Sequence, residues 1–133
     1  MSPRAAVSHL LYLFKEGVEE QDPGVLREAF DPRARVEVDG RPLGMDGLMG
    51  ELHRAWGDGG PLKLQVDRLS ARAVGEGGVR AECECEVGRR GASPSQPLFG
   101  SMSIEARREG ARWLMTRLDF TSLPARGGGA IPR

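Results

Sequence analysis

Cysteine is almost absent from this chain of 133 residues: Cys83 and Cys85 are the only two. Two apart on a strand, they would share a face with their Cβ atoms too far apart for an unstrained bridge, which excludes a disulfide-stapled scaffold. A C-x-C pair can offer two thiolates to a metal, but no Cys- or His-rich segment supplies further ligands. No metal or other cofactor is expected, and the pair reads as core cysteines. Lysine is nearly as scarce, with Lys15 and Lys63 alone; the other 17 of the 19 basic residues are arginine, a compositional bias rather than an arginine-specific site. No sign of charge dominates, because 19 acidic residues balance the 19 basic ones. Nothing draws a polyanion to the whole surface, so no nucleic-acid partner is expected, and Arg89-Arg90 is too short to be a patch. Long apolar runs are missing too. Leu10 to Phe14 is too short for a signal or a membrane span, so no membrane role is expected and the cytoplasm is the expected location. Aromatic residues make up only 5% of the chain, which favours a modest pocket if there is one.

The histidines are His9 and His53. Neither stands at a recognisable spacing from a nucleophile, and His9 lies off the apolar face of its helix. The glycines at 57, 59, 60 and at 75, 77, 78 follow no strand-to-helix pattern of the kind that cradles phosphate.

What is present is one domain's worth of ordinary globular sequence, 39% hydrophobic and 29% charged, long enough to bury a core unaided. Ser2-Pro3 is a helix start, an N-cap hydroxyl followed by a first-turn proline. Val7, Leu10, Leu11, Phe14 and Val18 then keep the helical rhythm, weakened but not stopped by Gly17. Asp22-Pro23 opens a short second helix, which Asp31-Pro32 is expected to close. Ala34 to Asp39 alternates as a strand and ends in a turn at Gly40-Arg41-Pro42. A third helix opens near Asp46, carries Met45, Leu48, Met49, Leu52 and Trp56 inward, and stops at the glycines before Pro61.

Strands follow. Leu62, Leu64 and Val66 alternate, then the apolar parity moves to Leu69, Ala71 and Ala73, which predicts a β-bulge near Asp67-Arg68. Gly75 to Gly78 is a hairpin turn. Val79, Ala81, Cys83, Cys85 and Val87 face one way, with Arg80, Glu82, Glu84 and Glu86 opposite, either a solvated or interface face or a cross-strand ladder. Gly88 to Pro97 reads as a mobile polar loop. Leu98 to Arg107 and Ala111 to Ser122 make a last hairpin around Glu109-Gly110. Residues 1–124 form the domain and 125–133 a flexible tail. Helices segregated from antiparallel strands give an α+β fold, a curved antiparallel sheet wrapped over three N-terminal helices.

This order of elements resembles the nuclear transport factor 2-like, or SnoaL-like, superfamily of cone-shaped α+β domains. The resemblance is carried by the long first helix, by DPGVLREAFDPRARVEVDG (Asp22 to Gly40), by the helix after GMDGL (Gly44 to Leu48) and by REGARWLMTRLDFTSLP (Arg108 to Pro124). It implies a homodimer paired through the sheet and a pocket between the sheet and the first helix. It does not choose among isomerases, cyclases, hydrolases, dehydratases and association domains. The family's ketosteroid isomerisation uses a helix-one tyrosine, a first-strand aspartate and a protonated late-strand aspartate. Here those positions fall near Phe14, Val38 and Ile104, with Asp39 and Glu105 one residue away, and Tyr12 points off the apolar face of its helix.

Trp113, Met115, Arg117 and Asp119 alternate along the last strand. One reading places them in the pocket, Asp119 as base or acceptor and Arg117 as anion clamp or tuner of its pKa. The other is a plain ion pair on a solvated or interface face. The expected pocket lining is Phe14, Trp56, Trp113, Arg117 and Asp119, and the catalytic candidates are Asp119, Asp39 and His53. The expected partner is a small organic ligand, bound or acted on by acid–base chemistry without a cofactor. A filled cavity with only the sheet surface at work would instead make the chain an association module.

Overall fold

A computed structural model describes residues 2–89 and 97–123. Most of the polar loop expected between Gly88 and Pro97, and the tail expected from 125, lie outside the described residues. The order of elements is α1 (Pro3–Glu19), α2 (Pro23–Glu28), β1 (Phe30–Val38), β2 (Arg41–Pro42), α3 (Gly44–Gly59), β3 (Leu62–Ala73), β4 (Gly78–Arg89), β5 (Leu98–Glu109) and β6 (Arg112–Leu123). Ser2 caps α1 by accepting from Ala5 N at 3.1 Å, and Asp22 caps α2 by accepting from Gly24 N and Val25 N, as their sequence positions imply. No helix among the described residues is long and apolar enough to cross a membrane.

The six strands form one sheet in the order β2-β1-β6-β5-β4-β3. Neighbours are antiparallel except β1 and β6, which run parallel. The sheet is therefore mixed rather than wholly antiparallel: β1 comes before α3 and the hairpins, and the last strand returns to lie beside it. Two expected boundaries move for the same reason. Asp31-Pro32 does not end α2 but lies within β1, because Phe30 already pairs with Met115; the register then slips before Arg35, which accommodates a proline that cannot donate to a ladder. Arg41-Pro42, read as a turn, pairs back on Val38 and Glu37 as β2.

The bulge expected near Asp67-Arg68 is present, with Asp67 opposite Glu84 and Ser70 opposite Glu82, and Arg68 at a φ of 56°. Such an extra residue bends a strand and increases its twist. A second bulge lies in β6: Glu105 faces Arg117 and Ala106 faces Met115, so Thr116 is the extra residue. Its hydroxyl donates to Glu105 O at 3.2 Å.

The helices cover one face of this sheet. From α1, Val7, Leu10, Leu11, Phe14 and Val18 are buried against Leu64 of β3, Val79, Ala81 and Cys83 of β4, Ile104 of β5 and Met115 and Leu118 of β6 in one continuous core. Three polar ties hold α1 in place. Lys15 Nζ donates to Leu64 O at 2.7 Å while Glu19 Oε2 accepts from Leu64 N at 2.8 Å, so one helical ion pair satisfies both backbone groups of an edge-strand residue. Arg4 Nη1 donates to Leu69 O at 2.6 Å. Trp56 Nε1 of α3 donates to Val18 O at 3.0 Å near the end of α1.

Gly17 explains itself in this packing: a Cβ there would lie 2.4 Å from Leu26 Cγ and 3.0 Å from Leu26 N. The missing side chain lets α2 lie against α1. Gly17→Ala gains about 1 kcal/mol of helix propensity, yet it is expected to lower the melting temperature because the α2 backbone must shift; thermal unfolding followed by circular dichroism checks this.

Candidate functional site

Between the helices and the sheet a cavity of about 270 Å³ remains. Phe14 of α1 forms one wall and Leu48, Leu52 and Ala55 of α3 another; Val36, Val38, Leu118 and Phe120 come from the neighbouring strands β1 and β6. Leu62, Leu64, Cys85, Val87 and Met102 close the side formed by β3, β4 and β5, and Leu43 and Leu98 stand near the opening. Charge reaches the cavity only through Glu37, Arg41 and Glu51. No polar or charged residue among those described is buried, so the walls offer dispersion contacts rather than hydrogen bonds.

The walls depend on local sequence choices. Gly100 of β5 sits beneath Phe120, and a Cβ there would fall 2.3 Å from the Phe120 ring and 2.9 Å from Thr121 O. Glycine at this position is what allows the ring to lie flat along the wall. Phe14 is steadied by Phe30, edge to face with ring centroids 5.9 Å apart. The cysteine alternation of β4 brings Cys85 into the wall and Cys83 into the core. Burial pushes the Cys85 thiol up to about 11. Burial, together with the charge of Cys85, pushes Cys83 up to about 12. Both are therefore neutral thiols near pH 7 and weak nucleophiles.

Of the residues expected at the site, Phe14 lines the cavity. Trp56 does not; it is buried, with its N–H spent on the tie to Val18. Trp113 is half-buried at the far end of β6 against the core. Arg117 and Asp119 lie on the opposite, outer face of the sheet. The bulge at Thr116 is the physical reason: Met115 faces the core, one extra residue intervenes, and the inward positions become Leu118 and Phe120.

On the outer face Arg117 Nε donates to Asp119 Oδ2 at 3.0 Å, and Arg117 Nη2 lies 4.0 Å from Glu37 Oε2. The hydrogen bond that Arg117 donates to Asp119, then the Asp119 charge, raises the Arg117 pKa above its ordinary value. Asp119 Oδ1 is buried and has no partner among the described residues. The pair belongs to a charged row running Arg35, Arg117, Glu105, Arg80 across four strands. Glu84 of the acidic stripe likewise meets Arg68 at 3.5 Å.

Asp39 and His53 are not part of the cavity either. His53 is exposed on α3 and stacks edge to face on Trp56, centroids 5.2 Å apart. Asp39 occupies the turn after β1 at a φ of 51°. Its Oδ1 accepts from Ser122 N at 2.7 Å and its Oδ2 from Ser122 Oγ at 2.8 Å. The backbone bond from Ser122, followed by the hydroxyl bond, holds its pKa below the ordinary value. It fastens the end of β1 to β6.

Sequence reasoning missed Val36, Val38, Leu118 and Phe120 as wall residues. Its missed signal was the switch of apolar parity from Trp113 and Met115 to Leu118 and Phe120, the same sign that marks the bulge in β3.

No sequence-family model matches the chain, and no curated protein matches it. Solved structures do. An NTF2-like protein of unknown function from Pseudomonas putida KT2440 superposes with a TM-score of 0.75 at 15% identity, covering 97% of this chain and 92% of that one. An NTF2-like protein with a cystatin-like fold from Novosphingobium aromaticivorans gives 0.75 at 17%, covering 96% and 86%. The hexachlorocyclohexane dehydrochlorinase LinA-type3 from Novosphingobium barchaimii LL02 gives 0.73 at 18%, covering 98% and 94%.

Two outcomes follow from these placements. Asp119→Ala is expected to leave cavity binding unchanged and to shift stability little, since the ion pair is about a third exposed and screened; urea unfolding beside a ligand titration checks both. For Asp39 the folded pKa is the lower one, so its contribution is fully present above the unfolded value of about 3.9 and is lost as pH falls through the folded value. The urea midpoint of the wild type should therefore drop between pH 5 and pH 3 more steeply than that of Asp39→Asn, which keeps an acceptor for Ser122 N but cannot titrate.

Proposed function

Starting from the nuclear transport factor 2-like, cystatin-like fold that the chain adopts, we propose that the protein binds a small, mainly apolar organic molecule. The observation that carries this reading is the cavity of about 270 Å³ whose walls are apolar apart from three charged residues. An engineered apolar cavity of about 150 Å³ stays dry and takes up benzene, so this one suits a body of roughly ten to fifteen non-hydrogen atoms. The likeness to a dehydrochlorinase named for a small chlorinated ring is in keeping with such a ligand.

Binding is favoured over acid–base catalysis by where the acids stand. Asp119 and Asp39 are held by Arg117 and Ser122 away from the cavity, and His53 is exposed. A general base must reach the proton it removes, within about 3.2 Å or through one water. The open cavity favours binding over a purely associative role.

The protein pairs with a second copy of itself through the outer sheet face. In support, that face bears opposed charges in rows, which suit a two-fold partner bearing the same rows, and a carboxylate oxygen of Asp119 that lacks a partner among the described residues.

Native mass spectrometry of freshly purified protein tests both parts. The expected result is a dimer carrying a small mass that denaturation releases, and Ala55→Phe, which puts a ring into the cavity, is expected to lack that mass. A neutral aromatic such as naphthalene should raise the melting temperature of the wild type, as any ligand of the folded state does, and leave the Ala55→Phe variant unmoved. A wild type with neither adduct nor thermal shift would sink the binding reading; a monomeric mass would sink the pairing.

A further inference from the structure

Three charged residues line the cavity, and two of them are already engaged. Glu51 Oε2 accepts from Arg54 Nη1 at 2.9 Å, and Glu37 Oε2 lies 4.0 Å from Arg117 Nη2 on the outer face. Arg41 stands apart. It lies directly opposite Val38 in the β1–β2 pair, and directly opposed residues send their side chains to the same face of a sheet. Val38 lines the cavity, and so does Arg41. Among the described residues the Arg41 guanidinium forms no hydrogen bond or ion pair. It is felt through space by Asp39, but both oxygens of that carboxylate are occupied by Ser122. An exposed fork of donors thus stands with its hydrogen-bonding capacity unspent at the mouth of an apolar cavity.

We propose that the ligand is an amphipathic monocarboxylate whose apolar body fills the cavity and whose carboxylate is held by Arg41. This deepens the binding reading above and rests on it. A guanidinium matches a carboxylate in two parallel hydrogen bonds. A phosphate monoester is a poorer fit, because Glu51 lines the same cavity and repels a second negative charge. A neutral ligand would leave the fork unused.

Matched acids and alcohols separate the inference from the reading it rests on. Calorimetric titration with 2-naphthoate and 2-naphthalenemethanol, and with decanoate and decanol, offers a flat and a flexible body of suitable size. The wild type is expected to bind the acid of at least one pair roughly three- to ten-fold more tightly than its alcohol. That preference should shrink as salt is raised, since the opening is exposed. Arg41→Gln is expected to remove the preference, and Arg41→Lys, which keeps the charge but loses the fork, to retain part of it. Equal affinity for acid and alcohol in the wild type, or a preference that survives Arg41→Gln, overturns the carboxylate assignment while leaving the cavity reading intact. Failure of all four compounds to bind the wild type overturns both. If Arg41→Gln does not fold, the salt dependence of the wild-type preference decides alone: a preference indifferent to salt overturns the assignment.

Discussion

Between Met115 and Arg117 the last strand carries one residue more than β5 beside it, and the hydroxyl of Thr116 fills the gap by donating to Glu105 O. Side chains on a strand alternate between faces, so one inserted residue reverses the destination of everything beyond it. Upstream, Met115 enters the core. Downstream, Leu118 and Phe120 form a cavity wall, while Arg117 and Asp119 are sent to the outer face. The apolar character of the cavity and the charged character of the outer sheet both follow from that insertion. Without it, an arginine and an aspartate would have to be desolvated beside α1, at a cost of several kcal/mol.

The rest of the architecture keeps the space from collapsing. Phe14 would close on the sheet if α1 were free to settle, but Lys15 and Glu19 fix α1 against Leu64, Arg4 holds its start to Leu69, and Trp56 joins its end to α3. At the same C-terminal end of α3, Arg89 Nη1 donates to Ala55 O at 2.6 Å and to Gly60 O, just past the helix, at 3.1 Å, so a strand residue satisfies carbonyls that the helix leaves unpaired. These are polar struts around an apolar void. They are directional, so they hold distances in a way that dispersion contacts alone do not.

How much of this was legible depended on whether local pattern carried the information. The alternation of β4 was readable because nothing interrupts it, and the bulge of β3 because its parity shift falls between two clear apolar runs. Phe14 was found at the cavity because helical spacing alone puts it on the inner face of α1. The parallel pairing of β1 with β6 was not legible: it joins segments some eighty residues apart, and no local feature names the partner strand. In β6 the tryptophan and methionine before the bulge drew attention to the odd-numbered face and hid the switch to Leu118 and Phe120. Arg41 was read as a turn because Gly40 and Pro42 flank it, although a two-residue strand there sets it at the cavity mouth.

Gly100 and Phe120 are neighbours across β5 and β6 in a relation that reaches past this one chain. The ring occupies the room that any side chain at position 100 would need, so the two positions share a single allotment of volume. A relative with alanine or valine at 100 must carry a smaller or differently turned residue at 120, and one that shrinks residue 120 while keeping the glycine deepens its cavity. Exchange between these two sites is thus a route by which chains of this architecture can change the volume of the cavity while leaving helices, struts and strand order as they are.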